Sequence, residues 1–212
     1  VITVVDYGAG NLHSVRRALE AVGQHPLITD HPSEVDRAEA VVFPGVGSAQ
    51  DAMRALHRLD LVACLRDFAA SGRPLFGVCV GLQVLFDGSD EGGGTECLGV
   101  LPGTVKRFPA SDLKVPHLGW NTVSLRFPHP FVEGVPDGSH FYFVHSYYPV
   151  PDEPATLLGE TEYGVTFASI VARENIMATQ FHPEKSADLG LGLYARFARI
   201  VERARATSVG VA

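Results

Sequence analysis

Hydrophobic positions along this chain change their period several times, and each change marks an element. Residues 2–6, "ITVVD", form a short β-branched run that predicts a strand. "NLHSVRRALEAVG" (11–23) then places Leu12, Val15, Leu19 and Val22 at helical spacing, with Asn11 as N-cap and Gly23 as helix stop. "PLIT" (26–29) and "AVVF" (40–43) read as further strands, and two amphipathic stretches, 49–57 and 60–70, as helices. "PLFGV" (74–78) predicts a strand that runs into Cys79, with a helix beginning about Gly81. Strands alternating with helices imply βαβ units and a parallel sheet.

From residue 97 the texture changes. Turn residues separate the β-rich runs "TVKRF", "WNTVSLRF", "HFYFVHSYYPV", "TLLGETE", "TFASIVA" and "NIMATQF", and a helix near 188–205 follows. This half predicts antiparallel hairpins added to the parallel sheet. Between the halves, "DGSDEGGGTE" (87–96) reads as a polar, glycine-rich loop. No repeat and no long linker interrupts the chain, so residues 1–212 are expected to form one domain.

Composition narrows the class. The chain is 46% hydrophobic and 19% charged, the balance of a soluble globular protein. Its net charge of −7, with no Lys/Arg-rich block, argues against nucleic acid as partner. The apolar runs are strand-length, so no membrane span is expected. The first residues lack the basic stretch of a signal peptide, and three cysteines (Cys64, Cys79, Cys97) show no pairing pattern. Both point to the cytoplasm.

The cysteines are not equivalent. Cys79 sits in "GVCVG", at the corner between a strand and a helix, with glycines two positions to either side. That is the layout of a nucleophile elbow, in which Gly77 and Gly81 let backbone segments approach where a Cβ would clash. The helix start beyond it would favour thiolate. Cys64 on an amphipathic helix and Cys97 after the loop read as structural.

A thiol nucleophile needs a base. Among nine histidines, His182 stands out in "ATQFHPEKS", at the end of a strand. In extended chain Gln180, His182 and Glu184 would share one face, and Pro183 favours an extended His182. A carboxylate beside the imidazole fixes its tautomer, which makes Cys79, His182 and Glu184 a candidate triad. Taken as zinc ligands, the same three lack a fourth partner, so no metal or other cofactor is expected. Acyl transfer also needs oxyanion donors: the N–H of Val80, and the backbone of Val46 and Gly47 in "FPGVGS" (43–48). "DYGAGN" (6–11) fails as a dinucleotide fingerprint, because His13 stands where the third glycine belongs.

With these motifs assembled, the sequence resembles the class I (triad) glutamine amidotransferases through "GVCVGLQ" and His182-Pro-Glu184. "DYGAGNLHSV", "PGVGS", "PHLGWN" (116–121) and "QFHPEKS" together resemble most closely the branch formed by the glutaminase subunits of imidazole glycerol phosphate synthase. The resemblance implies an α/β, flavodoxin-like fold with an open, mostly parallel central sheet flanked by helices. It also implies hydrolysis of L-glutamine to glutamate and ammonia, the ammonia passing to a (β/α)8-barrel synthase subunit of the histidine pathway. It assigns Cys79 as nucleophile, His182 as proton carrier and Glu184 as its orienting acid. Gln83, Gly47, Ser146 and Tyr147 would hold substrate, and Asn11, Trp120, Asn121 and Lys185 would face the barrel.

Other amidotransferase glutaminases, of the anthranilate or aminodeoxychorismate type, share the triad but are not expected to combine "PHLGWN" with "DYGAGN". A cysteine-nucleophile α/β-hydrolase shares G-x-C-x-G, but its acid precedes the histidine by a long stretch. An inactive binding subunit would be expected to lack a triad member.

Overall fold

A computed structural model of the chain describes residues 1–209. The first half comprises β1 (Ile2–Val5), α1 (Leu12–Ala21), β2 (Leu27–Thr29), α2 (Pro32–Asp36), β3 (Ala40–Gly45), α3 (Ala49–Arg58), α4 (Leu61–Ala70), β4 (Leu75–Cys79) and α5 (Val80–Gln83). The second half comprises β5 (Phe86–Ser89), β6 (Thr95–Glu96), β7 (Leu101–Arg107), β8 (His117–Leu125), β9 (Ser139–His145), β10 (Tyr147–Pro151), β11 (Leu157–Glu162), β12 (Thr166–Arg173), β13 (Ile176–Thr179) and α6 (Ala187–Val209).

Nine strands form one sheet in the order β2-β1-β3-β4-β13-β12-β11-β8-β9. The first five are mutually parallel. From β13 outward every pairing is antiparallel. A second sheet, β10-β7-β5-β6, stands beside it. The architecture is thus α/β, with the antiparallel strands supplied by the C-terminal half, as the change of texture predicts. β1, β3, β4 and β13 are buried along their whole length, which explains why β1, β3 and β4 read as near-continuous apolar runs, broken only by Thr3, instead of alternating ones; β2, at the sheet's edge, leaves Leu27 exposed. Buried residues from Ile2 to Val201 form a single cluster.

Several local expectations change. Pro32–Asp36 forms a short helix that the pattern did not show; five residues are too few to display helical periodicity, although Pro32 at its start is a helix-opening position. Asn11 occupies the N-cap position but its side chain makes no capping bond. The 140–150 run breaks at Ser146 into two strands that belong to different sheets. The 87–96 loop is partly ordered: it holds the end of β5, a 3₁₀ turn at Glu91–Gly93, and β6. The helix after Cys79 is a single turn. No helix among the described residues is long and apolar enough to cross a membrane.

The sheet order places β4 between β3 and β13, all parallel, so their carboxyl ends open at one edge. In an open parallel sheet that edge is where ligand crevices form.

Candidate active site

Cys79 ends β4 with φ +55° and ψ −110°, a conformation that a non-glycine residue adopts only under strain. Such strain costs about 1–3 kcal/mol and persists where the surroundings enforce it. The flanking glycines supply the enforcement by proximity, not by unusual backbone angles of their own. A Cβ on Gly81 would fall well inside contact distance of the Phe43 carbonyl oxygen. A Cβ on Gly77 would lie 3.1 Å from Ala178 Cβ and 3.1 Å from the Gly81 carbonyl oxygen. β3, β4 and β13 can close around the elbow only because both positions lack side chains.

β3 delivers the oxyanion candidates to the same place. Gly45 is paired with Cys79 across the β3–β4 ladder, so Val46 and Gly47 leave the sheet directly beside the thiol. A Cβ on Gly45 would lie 2.5 Å from the Tyr7 hydroxyl and 2.7 Å from the Gly81 nitrogen, so this glycine is needed for space. Gly47 is different: its φ of +89° is the left-handed conformation that glycine tolerates. Tyr7 was not singled out by sequence reasoning. Its hydroxyl is buried without a partner, and burial together with the nearby Cys79 pushes its pKa well above the ordinary tyrosine value.

The chain just beyond β13 carries the candidate base. Beyond Thr179 the chain leaves the strand, His182 keeps extended angles (φ −97°, ψ 99°), and Pro183–Lys185 form a 3₁₀ turn. Glu184 is therefore not on an extended face with His182, as the two-residue spacing suggests. The turn instead folds the carboxylate back, so that Oε1 accepts from Nδ1 of His182 at 2.8 Å. Both side chains are almost wholly buried, at 2% and 1% exposure. Nε2, the other ring nitrogen, completes no hydrogen bond and is left for Cys79. Burial pulls the His182 pKa down, but the sulfur of Cys79 and the Glu184 carboxylate outweigh it and hold the imidazole above its ordinary value. The arrangement can take a proton from the thiol and return it to a leaving group.

Cys79 and His182 open into a pocket of about 300 Å³ that is also lined by Val46, Gly47, Val80, Gln83, Ser146 and Tyr147. Every residue expected to hold substrate or stabilise an oxyanion thus lines one cavity. A larger groove of about 690 Å³, along residues 125–137, contains neither a cysteine nor any triad residue.

The structure refines the part Gln83 can play. Its amide nitrogen donates to the Tyr147 carbonyl at 2.9 Å and to Gln180 Oε1 at 3.1 Å, while Gln180 Nε2 lies 3.7 Å from Cys79 Sγ. Only the Gln83 oxygen remains for a ligand. Glu91 was missed in the glycine-rich loop. It lines the pocket and accepts from the Ala49 N–H at 2.6 Å, at the start of α3. Burial raises its pKa, partly countered by the Ala49 bond. No local pattern flags it, because the contact spans 42 residues.

Two further histidines were also not singled out: His145, which lines the pocket, and His117, its hydrogen-bond partner. His145 Nδ1 lies 2.8 Å from the Tyr147 carbonyl oxygen, which can only accept, so Nδ1 carries the proton. In the neutral ring Nε2 must then accept, and it does so from Nδ1 of His117 at 3.1 Å. His117 Nε2 in turn accepts from Asn121 Nδ2 at 3.2 Å. One chain of bonds runs from Asn121 to the pocket wall, and every tautomer in it follows from the single carbonyl.

The four residues expected to face a partner fare differently. Trp120 is 54% exposed, its ring 6.1 Å from that of Tyr142, and Lys185 Nζ sits 6.0 Å over the same Tyr142 ring. Leu118, 63% exposed, stands on the same face of β8 two residues away. Asn121 is only partly exposed and spends its amide internally, on His117 and on the Glu162 carbonyl at 3.0 Å. Asn11 is likewise half-buried; a Cβ on its neighbour Gly10 would touch Pro44 of the "PGVGS" segment at 3.7 Å.

Comparison with known proteins agrees with this geometry. The model of the class-I glutamine amidotransferase family matches residues 3–196. Imidazole glycerol phosphate synthase subunit HisH of Dehalococcoides mccartyi strain 195 is 49% identical over 197 residues, covering 93% of this chain and 96% of that protein. The subunit of the same name from Moorella thermoacetica is 49% identical over 205 residues, covering 96% of each chain. The one from Methanosarcina acetivorans is 46% identical over 198 residues, covering 92% of this chain and 96% of that one. Among solved structures, a glutamine amidotransferase superposes with TM-score 0.74 at 19% identity over 95% of this chain and all of the other. PurLQS from Thermotoga maritima superposes with TM-score 0.72 at 18% identity over 95% and 97%. These last two share the fold. By the extent of the family match and the near-full-length identity to the HisH subunits, the chain belongs to the class-I glutamine amidotransferases and, within them, to the HisH family.

Proposed function

We propose that this chain is the glutaminase subunit of imidazole glycerol phosphate synthase. The observation that carries the reading is the strained Cys79 beside a buried His182–Glu184 pair, at the mouth of a pocket large enough for an amino acid. His182 Nε2 takes the thiol proton, and Cys79 Sγ attacks the side-chain carbonyl carbon of L-glutamine. The oxyanion that forms is met by the N–H groups of Val80 and of the Val46–Gly47 segment. His182 returns its proton to the leaving nitrogen, the C–N bond breaks, and ammonia departs from a glutamyl thioester. Water, deprotonated by the same imidazole, cleaves the thioester and releases glutamate. Glu184 keeps the ring oriented and stabilises its charged form.

Glu91 suits the substrate's α-ammonium, since it is the acidic side chain of the pocket wall. The Gln83 oxygen and the backbone around Ser146 and Tyr147 complete the recognition. Ammonia made here would be delivered to a (β/α)8-barrel synthase subunit docked on the face that bears Trp120, Leu118 and Lys185. Lys185 adjoins Glu184 in the chain, so docking there can reach the triad. Gly47 permits the neighbouring peptide to turn, and a missing oxyanion donor costs about 100–1,000-fold in rate. The test is glutamine turnover by the purified chain, alone and with the barrel subunit and its nucleotide ligand. Slow hydrolysis alone and a rise of orders of magnitude in the complex are expected; full-rate turnover by the isolated chain contradicts the coupling, and none in the complex contradicts the function.

A further inference from the structure

The bond between His182 and Glu184 uses one carboxylate oxygen, Oε1. The other, Oε2, is buried and completes no hydrogen bond. A buried carboxylate oxygen left without a donor is costly, and a carboxylate free to swing would also release the imidazole. The turn that carries Glu184 cannot supply the donor, because the N–H groups of Lys185 and Ser186 are spent on the carbonyls of His182 and Pro183.

A donor stands on α6. Tyr194 is fully buried, and its hydroxyl also completes no hydrogen bond. Buried tyrosine hydroxyls usually find an acceptor. The helix is pressed onto the 3₁₀ turn at Gly190, where a Cβ would collide with the Pro183 carbonyl oxygen. Tyr194 lies four residues further, on the same helical face. Ala187 and Leu191 of that helix line a crevice together with Glu184. The Tyr194 ring packs edge-on against Phe76, 5.4 Å away on β4, three residues before Cys79. Glu184 is near enough to raise the Tyr194 pKa, after burial, although the two groups complete no hydrogen bond. Burial first, and then Glu184, keeps this phenol protonated far beyond neutral pH, so it is a permanent donor.

We propose that Tyr194 is a positioning residue for the triad: its hydroxyl donates to Glu184 Oε2 and holds the carboxylate in the orientation in which Oε1 meets His182. The inference rests on the glutaminase reading for its kinetic consequences only; the contact itself is a structural matter. It also makes α6 part of the catalytic architecture and not merely a cover for the sheet.

The experiment is a double-mutant cycle of Tyr194→Phe and Glu184→Ala, measured as glutamine turnover in the complex with the synthase partner and as Tm of the chain. Phenylalanine keeps the ring that packs on Phe76 and removes only the hydroxyl. Expected are a fall in kcat of about tenfold with unchanged KM for glutamine, the size of one lost bond to a charged group, and no further fall when Tyr194→Phe is added to Glu184→Ala. The proton resonance of His182 Nδ1–H should move downfield in Tyr194→Phe, since a carboxylate with one donor fewer is a stronger acceptor. A raised Tm with wild-type kcat would show the hydroxyl to be an orphan and overturn the proposal, as would additive losses in the cycle. A wild-type complex that hydrolyses no glutamine would overturn the parent reading instead, and non-additive Tm values would still establish the contact.

Discussion

Nδ1 of His117 lies 3.1 Å from Nε2 of His145, and a single proton serves the pair. Burial lowers the His117 pKa to about 4. Burial, followed by the neighbouring His117 and His182, lowers that of His145 to about 3, against the pull of the Tyr147 carbonyl. Both rings are neutral in the folded chain, whereas in the unfolded chain they titrate near 6.5. The unfolded state therefore binds more protons below that pH. The stability these histidines contribute is fully present above about 6.5, is lost progressively as pH falls below that, and the loss levels off as pH passes 4 and then 3. Between pH 7 and pH 5 the loss from His145 alone is on the order of 2 kcal/mol. Tm measured at pH 7 and pH 5 should drop less in His145→Gln than in wild type; equal drops would show that the buried pair does not govern acid sensitivity.

Only one of the three cysteines should react as a nucleophile. Cys97 is 1% exposed, and burial together with Glu91 and Glu96 raises its pKa to about 11. Burial also raises that of Cys64, whose thiol donates to the Pro32 carbonyl. A glutamine analogue with an electrophilic warhead should label Cys79 alone by mass spectrometry. Cys79→Ala should abolish turnover, while Cys64→Ser and Cys97→Ser keep most of it. Comparable labelling of Cys97 would contradict the assignment.

His182→Ala should lose nearly as much activity as Cys79→Ala, because nucleophile and base act as a unit. Glu184→Gln should lose less, since an amide oxygen can still accept from Nδ1 while the charge that stabilises imidazolium is gone. Steady-state kinetics in the complex decide the order. Glu184→Gln falling below His182→Ala would assign the carboxylate a role beyond orientation.

Glu91→Gln tests the recognition of the substrate ammonium. Loss of a partly buried charge pair should raise KM for glutamine roughly tenfold or more, with kcat changed far less. The Ala49 N–H keeps an acceptor in the glutamine variant, so the start of α3 should survive. A changed kcat at constant KM would remove Glu91 from substrate binding.

Gly81→Ala should be far more damaging than one methyl group suggests, because the new Cβ would run into the Phe43 carbonyl of β3. We expect a loss of at least about 3 kcal/mol, beyond the usual range of single substitutions, or a displaced elbow with no turnover. Thermal unfolding with activity measured on the same sample separates the two. A stable, active Gly81→Ala variant would show that the close approach is dispensable.

The site was legible in the chain wherever chemistry is enforced by neighbours in sequence. The glycines around Cys79, the strand preceding it and His182-Pro-Glu184 are local patterns, since backbone sterics act over two or three residues. The parallel first half was legible for the same reason: strands buried on both faces are dominated by apolar residues, and β1, β3 and β4 are, with Thr3 the one polar side chain among them. Local spacing misled where the chain turned. Glu184 meets His182 through a 3₁₀ turn and not along a strand, and the run 140–150 divides at Ser146 between two sheets. Everything joined across the fold was decided by tertiary structure alone. Placing β4 between β3 and β13 brings Cys79, Gly45 and the chain beyond Thr179 to one edge. Glu91 reaches Ala49 and His117 meets His145 only once that order is set. Such contacts carry no sequence period, because a hydrogen bond depends on separation in space, and strand order, not spacing along the chain, determines that separation.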